Sequence, residues 1–264
     1  MDSRIWITLY KKSARLLCIL WLTFFSAITS ADVITIVADE WYPYNGTPDS
    51  SKPGYGIEVI QRIFEKHDHT IEYTVLPWNR AIHTTRRGSY NAIIGAIKAD
   101  APDFIFPEQE LGYSQDAFYV AKDSSWSFSD IHSLSKMRIG LIKDYAYDDS
   151  PLTQFVKRNP NNVYYSLGQN ALEPNIRKLL NNHLDVLVED KNVFAHTTQD
   201  MALHNQFKYA GNLGKGSHIY VAFSPQHKKS KEYAEIFSQG MKQLKESGEL
   251  EKILKKYGLQ YWHE

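Results

Sequence analysis

The feature that most limits how this chain can fold is a regular alternation between β-branched segments and amphipathic ones. Residues 33–38 (VITIVA) predict a strand, and residues 56–67 repeat apolar side chains with the period of a helix. The segments 70–76, 78–87 and 92–97 continue the pattern as strand, helix and strand. Residues 92–97 carry no polar side chain, as expected for a parallel strand covered on both faces. This order predicts an open α/β sheet.

After residue 115 the same rhythm starts again, which predicts a second α/β unit. Strands are predicted at 117–121, 137–142, 163–165, 185–188 and 219–223, and helices at 152–158, 175–181, 231–247 and 250–257. In open sheets of this kind, ligands bind outside the carboxyl ends of the strands. The residues that follow the strands are therefore the first place to look for a functional site.

The first 31 residues predict a signal peptide and are set apart from the fold. Four basic residues come first, an apolar run follows at 16–25, and small and polar residues lead up to Ala31. The apolar run is too short to span a membrane as a helix. An uncleaved membrane anchor is the alternative. With cleavage near Ala31, the mature chain starts near Asp32 and is exported to the periplasm.

Removal of this segment changes what the composition allows. The chain's one cysteine, Cys18, lies inside it, so the mature chain has no disulfide and no cysteine-based metal or redox site. The segment holds four of the 30 basic and one of the 30 acidic residues, which leaves 26 against 29 and a net charge near −3. This balance does not favour nucleic-acid binding, which needs a concentrated basic face. His67 and His69 flank Asp68 in a polar turn without a third ligand, so no metal or cofactor is predicted.

Aromatic and acidic side chains follow the first predicted strand. Asp39 lies at its tip, and Trp41, Tyr42 and Tyr44 come directly afterwards. Aromatic faces stack on flat solutes and attract cations, while carboxylates accept hydrogen bonds. Ordinary loop packing around Pro43 is the alternative. We expect this cluster to form one wall of a site for a small solute.

Polar or aromatic side chains also follow four other predicted strands. These residues are Trp78 and Arg80, Lys98 and Asp100, Tyr145 and Tyr147, and Glu189 and Asp190. The first four belong to the first unit and the last four to the second. Two half-sites that close on a solute would be assembled from these loops. Each charged residue taken singly also fits a solvated loop position.

In their order and spacing, these segments resemble family 3 of the solute-binding proteins, which includes receptors for polar amino acids in ABC uptake systems. The motifs that carry the resemblance are DEWYPY at 39–44, GYGIEVI at 54–60, PWNR at 77–80, GSYNAIIG at 88–95, FP at 106–107 and LKESGELEKILKKYG at 244–258. Each motif alone is weak, and the order of all of them is specific.

The resemblance implies an α/β protein with the two-lobed periplasmic-binding-protein fold (type II) and two crossover hinge strands. It places the crossings near 111–115 and 211–216. Lobe 1 then comprises residues 32–114 and 215–264, and lobe 2 comprises residues 115–214. Closure about the hinge captures a small-molecule solute. The implied partner is an ABC permease or a membrane sensor, and the protein itself is expected to be a monomer.

One departure from the family's pattern bears on the solute. Amino-acid receptors of the family carry Thr-x-x-Arg after the buried strand, and this Arg forks onto the α-carboxylate of the ligand. Here the stretch reads KADAPD at 98–103, with Lys98 as a point donor. Asp190, or its neighbour Glu189, fits the acid that receives a ligand amine. A cationic, aromatic or otherwise unusual solute therefore fits at least as well as an amino acid.

Two alternatives stay open at this point. Some family relatives are periplasmic cyclohexadienyl dehydratases, in which one carboxyl group is the general acid, a role that Glu189 or Asp190 fits. Their dianionic substrates fit poorly in a site without the Arg, so no catalytic residue is assigned. The other alternative is a soluble sensor that delivers its ligand to a membrane receptor. For the binding function, we expect Trp41→Ala, Trp78→Ala and Asp190→Ala each to weaken binding without unfolding the chain.

Overall fold

The computed structural model describes residues 31–143, 145, 147, 151–168 and 170–262. The predicted signal peptide lies outside the described residues, apart from Ala31. The strands are β1 (Val33–Ala38), β2 (Thr70–Val75), β3 (Ala92–Ala96), β4 (Gly112–Ser114), β5 (Asp116–Ala121), β6 (Ile139–Ile142), β7 (Val163–Ser166), β8 (Val186–Asp190), β9 (Phe207–Asn212) and β10 (Ser217–Phe223). The helices are α1 (Tyr55–Glu65), α2 (Trp78–Arg86), α3 (Pro151–Arg158), α4 (Leu172–Leu180), α5 (Lys191–Asp200), α6 (Ser230–Glu246) and α7 (Glu249–Lys256).

Lobe 1 is built on a five-stranded sheet in the order β2-β1-β3-β10-β4. Strand β1 is parallel to β2 and β3, and β10 is antiparallel to β3 and β4. The last two helices of the chain pack on α1 in this lobe. Phe64 of α1 meets Tyr233 of α6 edge-on, with ring centroids 5.9 Å apart. The apolar face that predicted α1 is therefore covered by the end of the chain.

Lobe 2 is built on a second five-stranded sheet in the order β7-β6-β8-β5-β9. Strand β6 is parallel to β7 and β8, and β5 is antiparallel to β8 and β9. Each sheet thus contains three adjacent parallel strands. The next strand runs antiparallel to them and enters from the other lobe, and the fifth strand pairs with it at the edge. The predicted α/β, two-lobed fold class is confirmed.

Two short connections run between the sheets. Strand β4 leads through Gln115 into β5, and β9 leads through residues 213–216 into β10. The connections lie side by side, because Gln115 Nε2 donates to the carbonyl of Leu213 at 3.1 Å. Gly216 has a φ of +80°, and a Cβ there would lie 2.5 Å from the carbonyl oxygen of Ser114. Glycine is needed at this position for both its backbone angle and the close approach.

Helix α5 was not predicted, and β4 and the end of β9 were expected only as the crossings near 111–115 and 211–216. Helix α5 buries only Val193, Phe194 and Thr198, so its apolar periodicity is weak. Strand β4 has only three residues, and β9 buries only Phe207 and Ala210, so neither shows a clear apolar pattern. In the part of the chain that the structure describes, no helix is both long and apolar enough to cross a membrane.

Candidate functional site

A cavity lies between the two sheets. It is lined at the carboxyl ends of β1, β3 and β8 and at the amino ends of β5 and β10. Its lining side chains and glycines are Asp39, Trp41, Asn45, Trp78, Ile94, Gly95, Ile97, Asp100, Ser114, Asp116, Tyr145, Tyr147, Glu189, Leu213, Gly216, Ser217 and Ile219. Both lobes contribute to this lining.

Trp41 is the main aromatic ring that lobe 1 presents to the cavity. It lies on a turn in which its own N–H donates to the carbonyl of Asn45 at 2.8 Å. The turn is tied to the start of α1, because the N–H of Tyr55 donates to the carbonyl of Pro43 at 2.9 Å. Buried Tyr44 stacks behind the indole, with ring centroids 4.2 Å apart. The backbone and this stack together fix the ring at the cavity wall.

Asp39 brings a carboxyl group from lobe 1 into contact with lobe 2. Its Oδ2 accepts a hydrogen bond of 2.5 Å from the hydroxyl of Tyr145. Burial of the carboxyl between the lobes raises the pKa of Asp39 to about 7, and the charges of Asp100 and Glu40 add to this rise. The hydrogen bond from Tyr145 acts in the opposite direction. Asp39 therefore changes its charge near neutral pH.

Glu189 is the corresponding carboxyl group of lobe 2. It is buried, and its Oε1 accepts hydrogen bonds from Trp41 Nε1 at 3.2 Å and from the N–H of Asp190 at 3.0 Å. Burial raises the pKa of Glu189 well above its ordinary value, and the charge of Asp116 contributes to the rise. Trp41 of lobe 1 thus donates to a carboxyl group of lobe 2, and Tyr145 of lobe 2 donates to a carboxyl group of lobe 1.

Asp190 is next to Glu189 but has a different place in the structure. It is buried, and successive residues of a strand point to opposite faces, so its side chain is directed away from the cavity. Its oxygens accept hydrogen bonds from the N–H groups of Asn192 and Val193 (2.8 and 3.0 Å), from Ser114 Oγ (2.9 Å), from the N–H of Gln115 (3.0 Å) and from the hydroxyl of Tyr44 (3.1 Å). Asp190 is the N-cap of α5 and connects that helix to the first crossing.

The lysines that follow the strand tips in the sequence are turned away from the cavity. Their ammonium groups lie over rings outside it, at centroid distances of 5.0 Å for Lys98 over Tyr220, 5.0 Å for Lys143 over Tyr165 and 5.3 Å for Lys191 over Tyr209. Arg80 is exposed on α2. No lysine, arginine or histidine is present among the described residues that line the cavity.

The structure separates the twelve predicted site residues into groups. Seven line the cavity: Asp39, Trp41, Trp78, Asp100, Tyr145, Tyr147 and Glu189. Tyr44 and Asp190 are buried behind it, and Tyr42 lies in a neighbouring outer cleft. Arg80 and Lys98 lie outside the lining, and both are exposed. That the seven contact a solute stays a prediction.

The structure also adds residues that the strand-tip rule does not find. Asp116 and Ser217 are the first residues of β5 and β10, and both line the cavity. Because β5 and β10 run antiparallel to their neighbours, their amino ends lie at the same edge as the carboxyl ends of the parallel strands. In the sequence, such a lining residue can be recognised as a polar side chain at the start of a strand that follows a crossing.

An outer cleft continues from the cavity and shares Asp39, Trp41, Tyr145 and Glu189 with it. Its other ionisable residues are Glu40, Tyr42, Glu173, His196 and Asp200. The ring of Tyr42 lies 4.0 Å from that of His196. Burial lowers the pKa of His196, and Lys52 adds to this effect. The outer cleft is therefore acidic, like the cavity.

Among the described residues, no three His, Cys, Asp or Glu side chains are arranged to hold a metal ion. In the turn at 67–69, the buried His69 accepts a hydrogen bond from the N–H of Asp32 at 3.1 Å. Its ring packs against Phe64, with centroids 6.0 Å apart. This histidine therefore has a packing role in lobe 1.

Comparison with known proteins gives a consistent result. The family model described as bacterial extracellular solute-binding proteins, family 3, matches residues 33–260. No curated protein sequence matches the chain at a significant level.

Three solved structures share the fold. A histidine kinase sensor domain with similarity to periplasmic binding proteins has 18% identity and a TM-score of 0.71, and the match covers 87% of this chain and 98% of that one. A structure from work on glutathione import via GshT and the cystine ABC importer TcyBC of Streptococcus mutans has 19% identity, a TM-score of 0.74 and coverages of 89% and 98%. The substrate-binding protein AbpA of an amino acid ABC transporter, from Streptococcus pneumoniae and bound to L-arginine, has 17% identity, a TM-score of 0.68 and coverages of 86% and 94%.

Proposed function

The chain belongs to family 3 of the bacterial extracellular solute-binding proteins, and from that premise we propose that it captures a small polar, aromatic or cationic solute between its two lobes. The observation that carries the proposal is the cavity at the junction of the lobes. Its walls come from both sheets, and the contacts Trp41–Glu189 and Tyr145–Asp39 cross from one lobe to the other. A solute held there would be enclosed when the lobes close and released when they open.

The proposed lobes are residues 32–114 with 215–264 and residues 115–214. The hinge consists of Gln115 and residues 213–216, between strands of different sheets. Short glycine-containing connections absorb the backbone rotation of a domain closure with little cost. The proposed protein is a monomer that needs no cofactor.

Export and delivery are part of the same proposal. Cleavage of the predicted signal peptide near Ala31 would release the protein into the periplasm. There it would deliver the solute to an ABC permease or to a membrane sensor. The resemblance of the fold to substrate-binding proteins of ABC importers and to a kinase sensor domain is compatible with either partner.

A dehydratase activity is the alternative that one observation favours. The carboxyl group of Glu189 faces the cavity, and its burial raises its pKa, which favours the protonated form that a general acid requires. Against this alternative, a dianionic substrate needs cationic partners, and the described lining has none. We therefore propose binding without catalysis.

The test is a thermal-shift screen of the mature protein over amino acids, polyamines, nucleosides and small organic acids. A solute that binds the folded state raises the melting temperature by mass action. Isothermal titration of each hit then gives its Kd, and small-angle scattering reports closure as a smaller radius of gyration. Prephenate is included, and its turnover is followed by absorbance.

Two matched variants accompany this screen. Trp41→Ala removes a ring within the site, and Trp262→Ala removes a ring outside it, over which the ammonium group of Lys245 lies. Trp41→Ala should raise the Kd of a hit by about tenfold or more, since it removes a ring face and the partner of Glu189. Trp262→Ala should leave the Kd unchanged. Steady turnover of prephenate without stable binding of any solute would replace the binding function with the enzymatic one.

A further inference from the structure

The cavity has an unbalanced set of ionisable side chains. Four carboxyl groups line it, from Asp39, Asp100, Asp116 and Glu189. Basic residues are missing from the described part of the lining. We propose that the solute is an organic cation, an amine or guanidine, that carries no carboxylate. This inference rests on the proposed binding function and specifies the chemical class of its solute.

The carboxyl groups are divided between the lobes. Lobe 1 contributes Asp39 and Asp100, and the charge of Asp100 acts on Asp39. Lobe 2 contributes Asp116 and Glu189, and the charge of Asp116 acts on Glu189. Like charges in a closed space repel each other, and a cation placed between them reduces the repulsion on both sides at once. Closure of the lobes would therefore be favoured by a positively charged solute.

Aromatic faces complete the surroundings that a cation prefers. Trp41, Trp78 and Tyr145 line the same cavity. In the described parts of the chain, the lysines and arginines that lie over aromatic rings do so at Phe104, Tyr165, Tyr209, Tyr220, Tyr257 and Trp262. The three cavity rings are thus not occupied by a cation of the described chain. An ammonium or guanidinium group of the solute would be attracted to their faces.

A carboxylate on the solute would find no cationic partner in the described part of the lining. Its charge needs a cation or several hydrogen-bond donors to replace the water that it loses. The nearby lysines lie over tyrosine rings outside the cavity, as Lys98 does over Tyr220 at 5.0 Å. The outer cleft adds Glu40, Glu173 and Asp200 along the approach. Such a path attracts cations and repels anions.

The first experiment compares amines with the amino acids that differ from them by one carboxylate. Isothermal titration uses agmatine with arginine, cadaverine with lysine, and tyramine with tyrosine. We expect at least one amine to bind with a Kd at least tenfold lower than its amino acid. Lysinamide and argininamide are the controls for the size of the amino acids, since they keep the substituted α-carbon but have a neutral amide in place of the carboxylate. They should bind like the amines.

The second experiment replaces a carboxyl group, which a bound cation would hold ionised, by a neutral amide of the same shape. Glu189→Gln retains an oxygen for the hydrogen bonds from Trp41 Nε1 and from the N–H of Asp190, and it should raise the Kd of the amine at least tenfold. Asp100→Asn is the second variant and retains an oxygen for the N–H of Ile97. Glu65→Gln, on the exposed side of α1, removes one negative charge far from the cavity and should not change the Kd.

The outcomes separate this inference from the proposed function. An amino acid that binds as tightly as its amine, or a neutral or anionic solute that binds where no amine does, would overturn the cation inference alone. Unchanged amine affinity in both Glu189→Gln and Asp100→Asn would do the same. If no solute in the panel binds at all, the proposed function and the inference fail together.

Discussion

The two lobes share one strand order but hold their site residues by different means. In lobe 1 the indole of Trp41 stands on a turn that closes on Asn45 and is tied to α1 through Pro43. In lobe 2 the acids stand on β8, where alternate side chains point to opposite faces, so Glu189 faces the cavity and Asp190 points away from it, toward α5 and the first crossing. The position of the ring depends on turn hydrogen bonds, and that of the acid depends on strand register.

The difference has a consequence for closure. Aromatic donors cross in both directions: Trp41 Nε1 donates to Glu189 and the hydroxyl of Tyr44 to Asp190, and the hydroxyl of Tyr145 donates to Asp39. A hydrogen bond of this kind contributes about 1 kcal/mol. Contacts of this strength are weak enough to break when the lobes separate.

The largest expected effect is on stability and concerns Asp190, the acid of β8 that does not line the cavity. Asp190→Ala should lower the free energy of unfolding by about 3–5 kcal/mol, because a buried carboxyl group with five hydrogen-bond donors is lost. Urea unfolding followed by circular dichroism measures it. Glu189→Gln, one residue earlier, is the control and should retain the stability of the native chain.

This prediction differs from the one made from the sequence, that Asp190→Ala weakens binding without unfolding the chain. Asp190 accepts its hydrogen bonds from the protein itself and does not line the cavity. A variant with native unfolding behaviour but a much weaker solute affinity would return Asp190 to the binding site.

The next effect depends on pH and concerns Asp39, the carboxyl group of lobe 1 that accepts a hydrogen bond from lobe 2. Asp39 has a pKa of about 7 in the folded protein against 3.8 ordinarily, and it faces Tyr145, Asp100 and Glu40. The folded state therefore binds a proton more tightly than the unfolded chain, so this group lowers the stability of the solute-free protein as pH rises from about 4 to 7.

Binding of a cation should respond in the opposite direction, since it favours the ionised carboxylate. Its affinity should fall by about tenfold from pH 8 to pH 6, as the ionised fraction of Asp39 decreases. Titration calorimetry at several pH values measures the affinity, and thermal unfolding without solute measures the stability. Asp39→Asn should flatten both profiles in this range. Profiles with an unchanged slope in that variant would assign the titration to another group.

The smallest effect tests one contact between the lobes. Tyr145→Phe removes the hydroxyl that donates to Asp39 and keeps the ring at the cavity. Solute affinity should fall by about fivefold, the value of a single hydrogen bond. The pKa of Asp39 should rise further, because that hydrogen bond lowers it. Tyr164→Phe on the exposed side of β7 serves as the control, and an equal loss there would show that the effect is not specific.

Most of the regular elements follow from the sequence, with boundaries that differ by a few residues. The run at 33–38 and the periodic segment at 56–67 were predicted because their apolar pattern already reflects which face is buried. Helix α5 was not predicted, because it buries few side chains, and β4 and β9 were expected only as crossings, because both are short of buried side chains. The apolar pattern of a segment predicts a helix or strand only where one face of that helix or strand is buried.

For the site, the sequence alone determined the neighbourhood, since residues after parallel strands gather at one edge of a sheet. The tertiary structure decided which of them face the cavity. It turned Lys98 over Tyr220, separated Glu189 from Asp190, and added Asp116 at the start of an antiparallel strand. These outcomes depend on partners distant in the chain, because the direction of a side chain is set by what packs against it. The acidic character of the cavity is therefore a property of the fold, although every residue that creates it is visible in the sequence.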